Sequence, residues 1–233
     1  MTENFSAIIC GLKSEADAVR SAVSGDDIRI YVSGANAVRA EELAQSACAD
    51  GAKAIISIGV SGGLDPSLKP GQLIIGDEIL SDGKGAIFAS DPFLLGALRK
   101  TQSFEDARVG RLFGADTIIV DAKEKAALFA RTRAIAVDME SHGAARAAAE
   151  AKIPFVAIRA VADPADRALP KAALGAVAPD GSTLVAKTLG AAMRDPKQFP
   201  GLIRLGSDSS KAIATLKRDL PALLRVLFSV VEG

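Results

Sequence analysis

Cysteine is scarce in this chain of 233 residues, with Cys10 and Cys48 the only two. One lies in an apolar run and the other in an Ala-rich helical pattern. They read as small buried side chains, a disulfide framework is not expected, and a reducing compartment fits. Net charge is also missing, since Lys plus Arg and Asp plus Glu each number 28. A protein that neutralises many phosphates carries a basic excess, so nucleic acid is not an expected partner. His142 is the single histidine. With no clustered ligands of suitable spacing around it, no metal is expected. No stretch reaches the ~20 apolar residues that span a bilayer. The first residues, Met-Thr-Glu-Asn-Phe, lack the basic region and apolar run of a secretory signal. A cytoplasmic protein is the expectation.

What is present is an alternation. Apolar runs of strand length fall at Phe5 to Cys10, Ile28 to Val32, Ala54 to Ile58, Leu73 to Ile75, Arg108 to Phe113, Ala134 to Val137 and Phe155 to Val161. Between them, helical spacing recurs at Ser14 to Val23, Ala37 to Asp50, Ala122 to Arg131, Glu140 to Lys152 and Ser182 to Met193. Such alternation predicts an α/β layered domain. The runs at Ala54 and Phe155 are apolar at nearly every position, which suits central strands covered on both faces. Residues 1–194 read as one domain. Residues 195–233 read as a helical extension packed on it, with two helix patterns broken by Pro200, Gly206 and Pro221. Its apolar face, Ile213 to Val231, packs on the domain or a subunit partner, or else meets lipid or an apolar substrate at the membrane periphery.

Three stretches carry chemistry. In "SIGVSGGLDPSLKPGQLIIGDEI", Gly59, Gly62 and Gly63 follow a strand, and successive N–H groups there form either a tight turn or a seat for an anion or sugar oxygen. In "AVDMES", Glu140 begins a helix at a strand's C-terminal end, either as a favourable helix-start charge or as an acceptor for a polyol such as ribose. In "IRAVADPAD", Arg159 falls inside an apolar strand and needs an anionic mate, while Asp163 either starts a turn or serves as a general acid in a dry cleft. Glu15 lies on the first turn after the first strand.

Together, in this order, the three stretches resemble the purine nucleoside phosphorylase and uridine phosphorylase superfamily over roughly Phe5 to Met193, and most closely its methylthioadenosine/S-adenosylhomocysteine nucleosidase branch. The resemblance implies a three-layer α/β/α fold with a central mixed, partly barrel-like sheet. It implies an enzyme that cleaves an N-glycosidic bond as a homo-oligomer, without a cofactor, inorganic phosphate being a possible co-substrate. Asp163 would protonate the purine, Glu15 would activate water, and Arg159 would lie near the nucleophile. Met139 and Glu140 would hold the ribose. Gly59, Ser61 and Gly62 would line the glycine loop, and Asp116, Ile118 and Ile119 the base-side wall. Two departures stand out: Val60 occupies the place of the branch's serine, and Ile118 that of an aromatic. With "RALPKAAL" and the tail, they are similar to the hopanoid-associated phosphorylases, which implies release of adenine from adenosylhopane. The alternatives are a nucleosidase of the methylthioadenosine type, a nucleoside-binding protein without turnover, or an assembly or membrane-surface component.

Overall fold

A computed structural model describes residues 5–231 apart from 24, 26, 83 and 84. Strands β1 (Phe5–Cys10), β2 (Ile28–Val32), β3 (Ala52–Gly63), β4 (Leu73–Ser81), β5 (Ile87–Ala89), β6 (Arg108–Gly114), β7 (Ala136–Asp138) and β8 (Phe155–Asp163) form one mixed sheet. Its path runs β2-β1-β3-β7-β6-β4-β5, and β8 pairs with both β3 and β4. That double pairing closes β3, β8, β4, β6 and β7 on themselves, giving the partly barrel-like sheet.

Side-chain alternation along the central strands builds two cores. Ile8 and Cys10 of β1, Ile56 and Ile58 of β3, and Val156, Ile158 and Ala160 of β8 face one way, under α1 (Lys13–Ala22) and α8 (Phe199–Val231). Ala7, Ile9, Ile55, Phe155 and Ala157 face the other, under α2 (Ala37–Ala49) and α6 (Ser141–Ala151). Strands buried on both faces have no polar parity to spare, which explains their continuous apolar runs. Small residues let α2 and α6 sit close to the sheet: Ala40, Ala44, Ala47, Ala144, Ala147 and Ala148 are all buried.

The tail departs from the two interrupted helices expected of it. Residues 199–231 form one continuous helix with Pro221 inside. An internal proline costs about 3 kcal/mol. Here Leu216, Leu220, Leu223, Leu224 and Leu227, all fully buried in the first core, hold the helix through it. The apolar face of α8 is therefore covered. The exposed apolar stripe lies instead on α7 (Val185–Arg194), at Val185, Leu189 and Met193. Three further elements were not expected: β5, α3 (Pro92–Leu98) and α4 (Gln102–Glu105). Among the described residues no helix is long and apolar enough to cross a membrane. The remaining helix, α5 (Ala122–Thr132), starts at an Asp121 cap and ends on Arg133 in the left-handed conformation.

Candidate active site

A cavity of about 190 Å³ opens where β1, β3, β7 and β8 end. Four carboxyl residues line it: Glu15 from α1, Asp138 from the end of β7, Glu140 from the turn after β7, and Asp163 from the end of β8.

Glu15 does not face water. Its Oε2 accepts from the backbone N–H groups of Gly11 and Leu12, and its Oε1 from that of Val60, each at 2.8 Å. The carboxylate thus ties the start of α1 to β3. Gly59 permits this approach, because a Cβ there would lie 3.0 Å from Oε1. Burial pushes the Glu15 carboxyl up, against the pull of those three N–H groups.

Asp138 and Glu140 divide the work of the "AVDMES" turn. Asp138 Oδ1 accepts from the N–H groups of Glu140 and Ser141, at 2.9 and 2.7 Å, and so caps α6. Its Oδ2 lies 3.1 Å from Arg159 Nε. Burial works to raise the Asp138 carboxyl, but the Arg159 charge and the Ser141 N–H outweigh it and hold the group below its ordinary range. Glu140 has no such mate. Burial, then the charges of Asp138 and Glu15, push its carboxyl up to about 8. It reaches the cavity beside Gly11, where a Cβ would stand 2.6 Å from Glu140 Oε1.

The raised Glu140 group has a measurable consequence. The native state holds this proton from its ordinary 4.5 up to about 8, whereas the unfolded chain releases it at the lower value. Glu140 therefore stabilises the fold relatively below pH 4.5, and that contribution is lost as pH rises to about 8, at up to about 1.4 kcal/mol per pH unit. Glu140→Gln is expected to flatten the slope, so that the variant melts above the parent at pH 8 and the gap narrows towards pH 5. A gap independent of pH in thermal unfolding would contradict this.

Asp163 is the fourth carboxyl. Its side chain is 15% exposed and forms an ion pair with Lys125, which is 1% exposed. Burial raises the Asp163 carboxyl, and the Lys125 charge draws it partly back.

Several expected site residues take other places. Arg159 is fully buried and does not line the cavity. It donates to Ser57 O and Ile158 O through Nη1, and to Ser57 Oγ through Nη2, while Asp138 supplies the carboxylate mate. It lies beneath the site, on the parity of β8 that faces the second core, and its charge acts from there on Glu15 and Glu140. Asp116 is likewise not in the wall, because its carboxylate turns outward to His142 Nε2 at 3.1 Å. Thr117, Ile118 and Ile119 do line the cavity, Ile118 remaining 48% exposed at the rim. Gly59 stands behind Glu15, while Ser61, Gly62 and Met139 reach the cavity directly. Ser61 Oγ is buried without a hydrogen-bond partner among the described residues.

Sequence reasoning missed Lys125, and it missed Leu12, Leu169 and Val177, which complete an apolar rim. The signal for Lys125 was available: with Leu128 and Thr132 it occupies the buried face of α5 at spacings of three and four. No Lys, Arg or His lines the cavity among the described residues. Nor is any group of three or more His, Cys, Asp or Glu disposed there to hold a metal ion.

Residues 12–193 match the family model of the phosphorylase superfamily. A 5'-methylthioadenosine/S-adenosylhomocysteine nucleosidase of Baumannia cicadellinicola subsp. Homalodisca coagulata is 30% identical over 130 residues. That match covers 48% of this chain and 57% of the relative, so the chain spans little more than half the length of that protein. Among solved structures, the nucleosidase of the same description from Neisseria meningitidis, in complex with methylthio-immucillin-A, has a TM-score of 0.71 at 20% identity, covering 96% of this chain and 99% of that one. Futalosine hydrolase of Helicobacter pylori strain 26695 gives 0.72 at 13% identity, covering 97% and 98%. At these identities the likeness to the solved structures is one of fold. The mixed, partly closed sheet read from the sequence resemblance is the sheet of these enzymes.

Proposed function

This chain belongs to the phosphorylase superfamily, and we propose that it hydrolyses the N-glycosidic bond of a purine nucleoside, releasing adenine. The observation that carries the reading is the convergence of Glu15, Glu140 and Asp163 on one cavity, each with its carboxyl raised. Cleavage of this bond develops positive charge on the ribose and negative charge on the departing base. Glu140 accepts hydrogen bonds from the ribose hydroxyls and lies close to the developing charge on the sugar. Asp163 gives its proton to the purine, Glu15 takes one from the attacking water, and each transfer is worth about 10² to 10⁴ in rate.

Water is favoured over phosphate by the charges. Arg159 is committed to Asp138 and the Ser57 carbonyl, and Lys125 to Asp163. A phosphate dianion would therefore meet the Glu15 carboxylate in a low-dielectric cavity with no free cation among the described residues. The other nucleophile, water, needs only the base that Glu15 supplies.

The apolar rim supports a substrate with a large apolar substituent, adenosylhopane being the specific proposal. Leu12, Val60, Leu169 and Val177 surround the opening with Ile118. The bridge between Val177 and Thr183 then joins this rim to α7, whose Val185, Leu189 and Met193 stand exposed. The test is adenine release from adenosine and from adenosylhopane, each with and without phosphate, with the sugar product identified. Free ribose or ribosylhopane at a rate independent of phosphate is the expected result. A sugar phosphate would make the enzyme a phosphorylase, and binding without base release from either substrate would make it a nucleoside-binding protein.

A further inference from the structure

Lys125 belongs to none of the motifs that carry the site, yet it is among the largest fully buried side chains. Its ammonium donates to Asp163 Oδ2, and to the carbonyl oxygens of Pro164 and Arg167 at 3.1 Å each. An ammonium has three protons, and all three have acceptors here, so its direction is fixed. Asp163 is oriented in turn. Oδ2 is taken by Lys125, whereas Oδ1 has no hydrogen-bond partner among the described residues, and both oxygens stand against Gly62, where a Cβ would lie 3.3 and 3.4 Å away.

We propose that Lys125 is a positioning residue for base departure, aiming Asp163 Oδ1 at the purine and carrying the counter-charge when Asp163 gives up its proton. The inference rests on the purine-nucleoside reading of the cavity. As the bond from the ribose carbon to the purine breaks, its electron pair passes to the base. The Oδ1–H bond breaks, N7–H forms, and the carboxylate left behind faces the ammonium. Burial alone makes Asp163 a weak acid, reluctant to release a proton into an apolar wall, and Lys125 opposes that effect. The charged groups facing Asp163 are Lys125 from α5, Arg167 from the segment after β8, and Asp208 from α8. Arg167 and Asp208 pair with each other at 2.7 Å, which leaves Lys125 as the cation in contact.

Lys125→Met and Lys125→Gln test this, the second retaining a hydrogen-bond donor should the first fail to fold. Two substrates are compared: adenosine, whose base must be protonated to leave, and 4-nitrophenyl riboside, whose leaving group needs no proton. The expected result is adenine release lowered about 100-fold, with nitrophenolate release near the parent rate. In the same variants the Asp163 carboxyl, followed by carbon-13 NMR and assigned with Asp163→Asn, titrates at higher pH than in the parent. Equal loss on both substrates, or an unmoved Asp163 titration, overturns the proposal. Should the parent release no base from any purine nucleoside, the purine reading falls, and the titration alone decides for or against the role of Lys125.

Discussion

Asp163→Asn is expected to lower adenine release by about 10²- to 10⁴-fold and also to lower the melting temperature. The second effect comes from Lys125. An amide cannot carry the proton that the departing purine requires, and it cannot balance the buried ammonium now facing it. Removing one partner of a buried ion pair costs about 3 to 5 kcal/mol, because the remaining charge is left uncompensated. The wholly buried lysine beside Asp163 is what couples the loss of stability to the loss of activity. The double variant Asp163→Asn with Lys125→Met separates the two effects. With neither charge present it should recover most of the lost stability, since buried pairs replaced by apolar groups are often neutral, and recover none of the activity. Calorimetry and adenine release measured on the three proteins decide the matter. A single variant as stable as the parent would mean that the ammonium finds another partner, and near-parent activity would remove Asp163 from the chemistry.

The case of Lys125 also shows where the sequence is legible. Strands β1, β3 and β8 are buried on both faces, so nearly every residue is apolar and the run announces itself. Arg159 within β8 could be recognised as needing an anion, because a lone buried guanidinium is too costly to stand alone. That its mate is Asp138, two residues before the expected ribose carboxylate, follows only from the close approach of β7, β3 and β8 at the site. Closure of the sheet is a long-range matter of the same kind. The pairing of β8 with β4 as well as β3 leaves no local signature, since each strand is simply apolar. The short β5 is an edge strand with Ile87 and Ala89 exposed, so it lacks the pattern that marks the central ones. Asp116 was misplaced because a carboxylate before an apolar wall can turn inward or outward. His142, packed on Gly114 in the first turn of α6, takes up its carboxylate away from the cavity lining. What the sequence carries well is the order of the carboxylates and the glycines that stand against them. What it hides is which cation answers which carboxylate.

The hydrolytic reading stands or falls on Glu15. Glu15→Gln is expected to reduce base release by about 10²- to 10⁴-fold with a smaller loss of stability. The stability loss follows from geometry. The carboxylate accepts three backbone N–H groups through two oxygens, whereas an amide offers one acceptor oxygen and one donor nitrogen. The amide oxygen can serve Gly11 and Leu12 together, but the nitrogen then faces the Val60 N–H, leaving a buried donor unmatched at about 1 to 3 kcal/mol. A purely structural role would therefore also lower activity, and the rate alone cannot identify a base. Azide can, because it attacks carbon without losing a proton. If Glu15 activates water, adding azide to Glu15→Gln restores base release and yields the ribosyl azide, while the parent gains little. If Glu15 only ties α1 to β3, the variant stays slow in azide although it still binds nucleoside. Loss of the Glu15 charge also removes a carboxylate that an entering anion would face in the cavity. That change favours azide, and phosphate would gain by it as well. A variant that becomes phosphate-dependent would show that the carboxylate of Glu15 both supplies the base and keeps the competing nucleophile out.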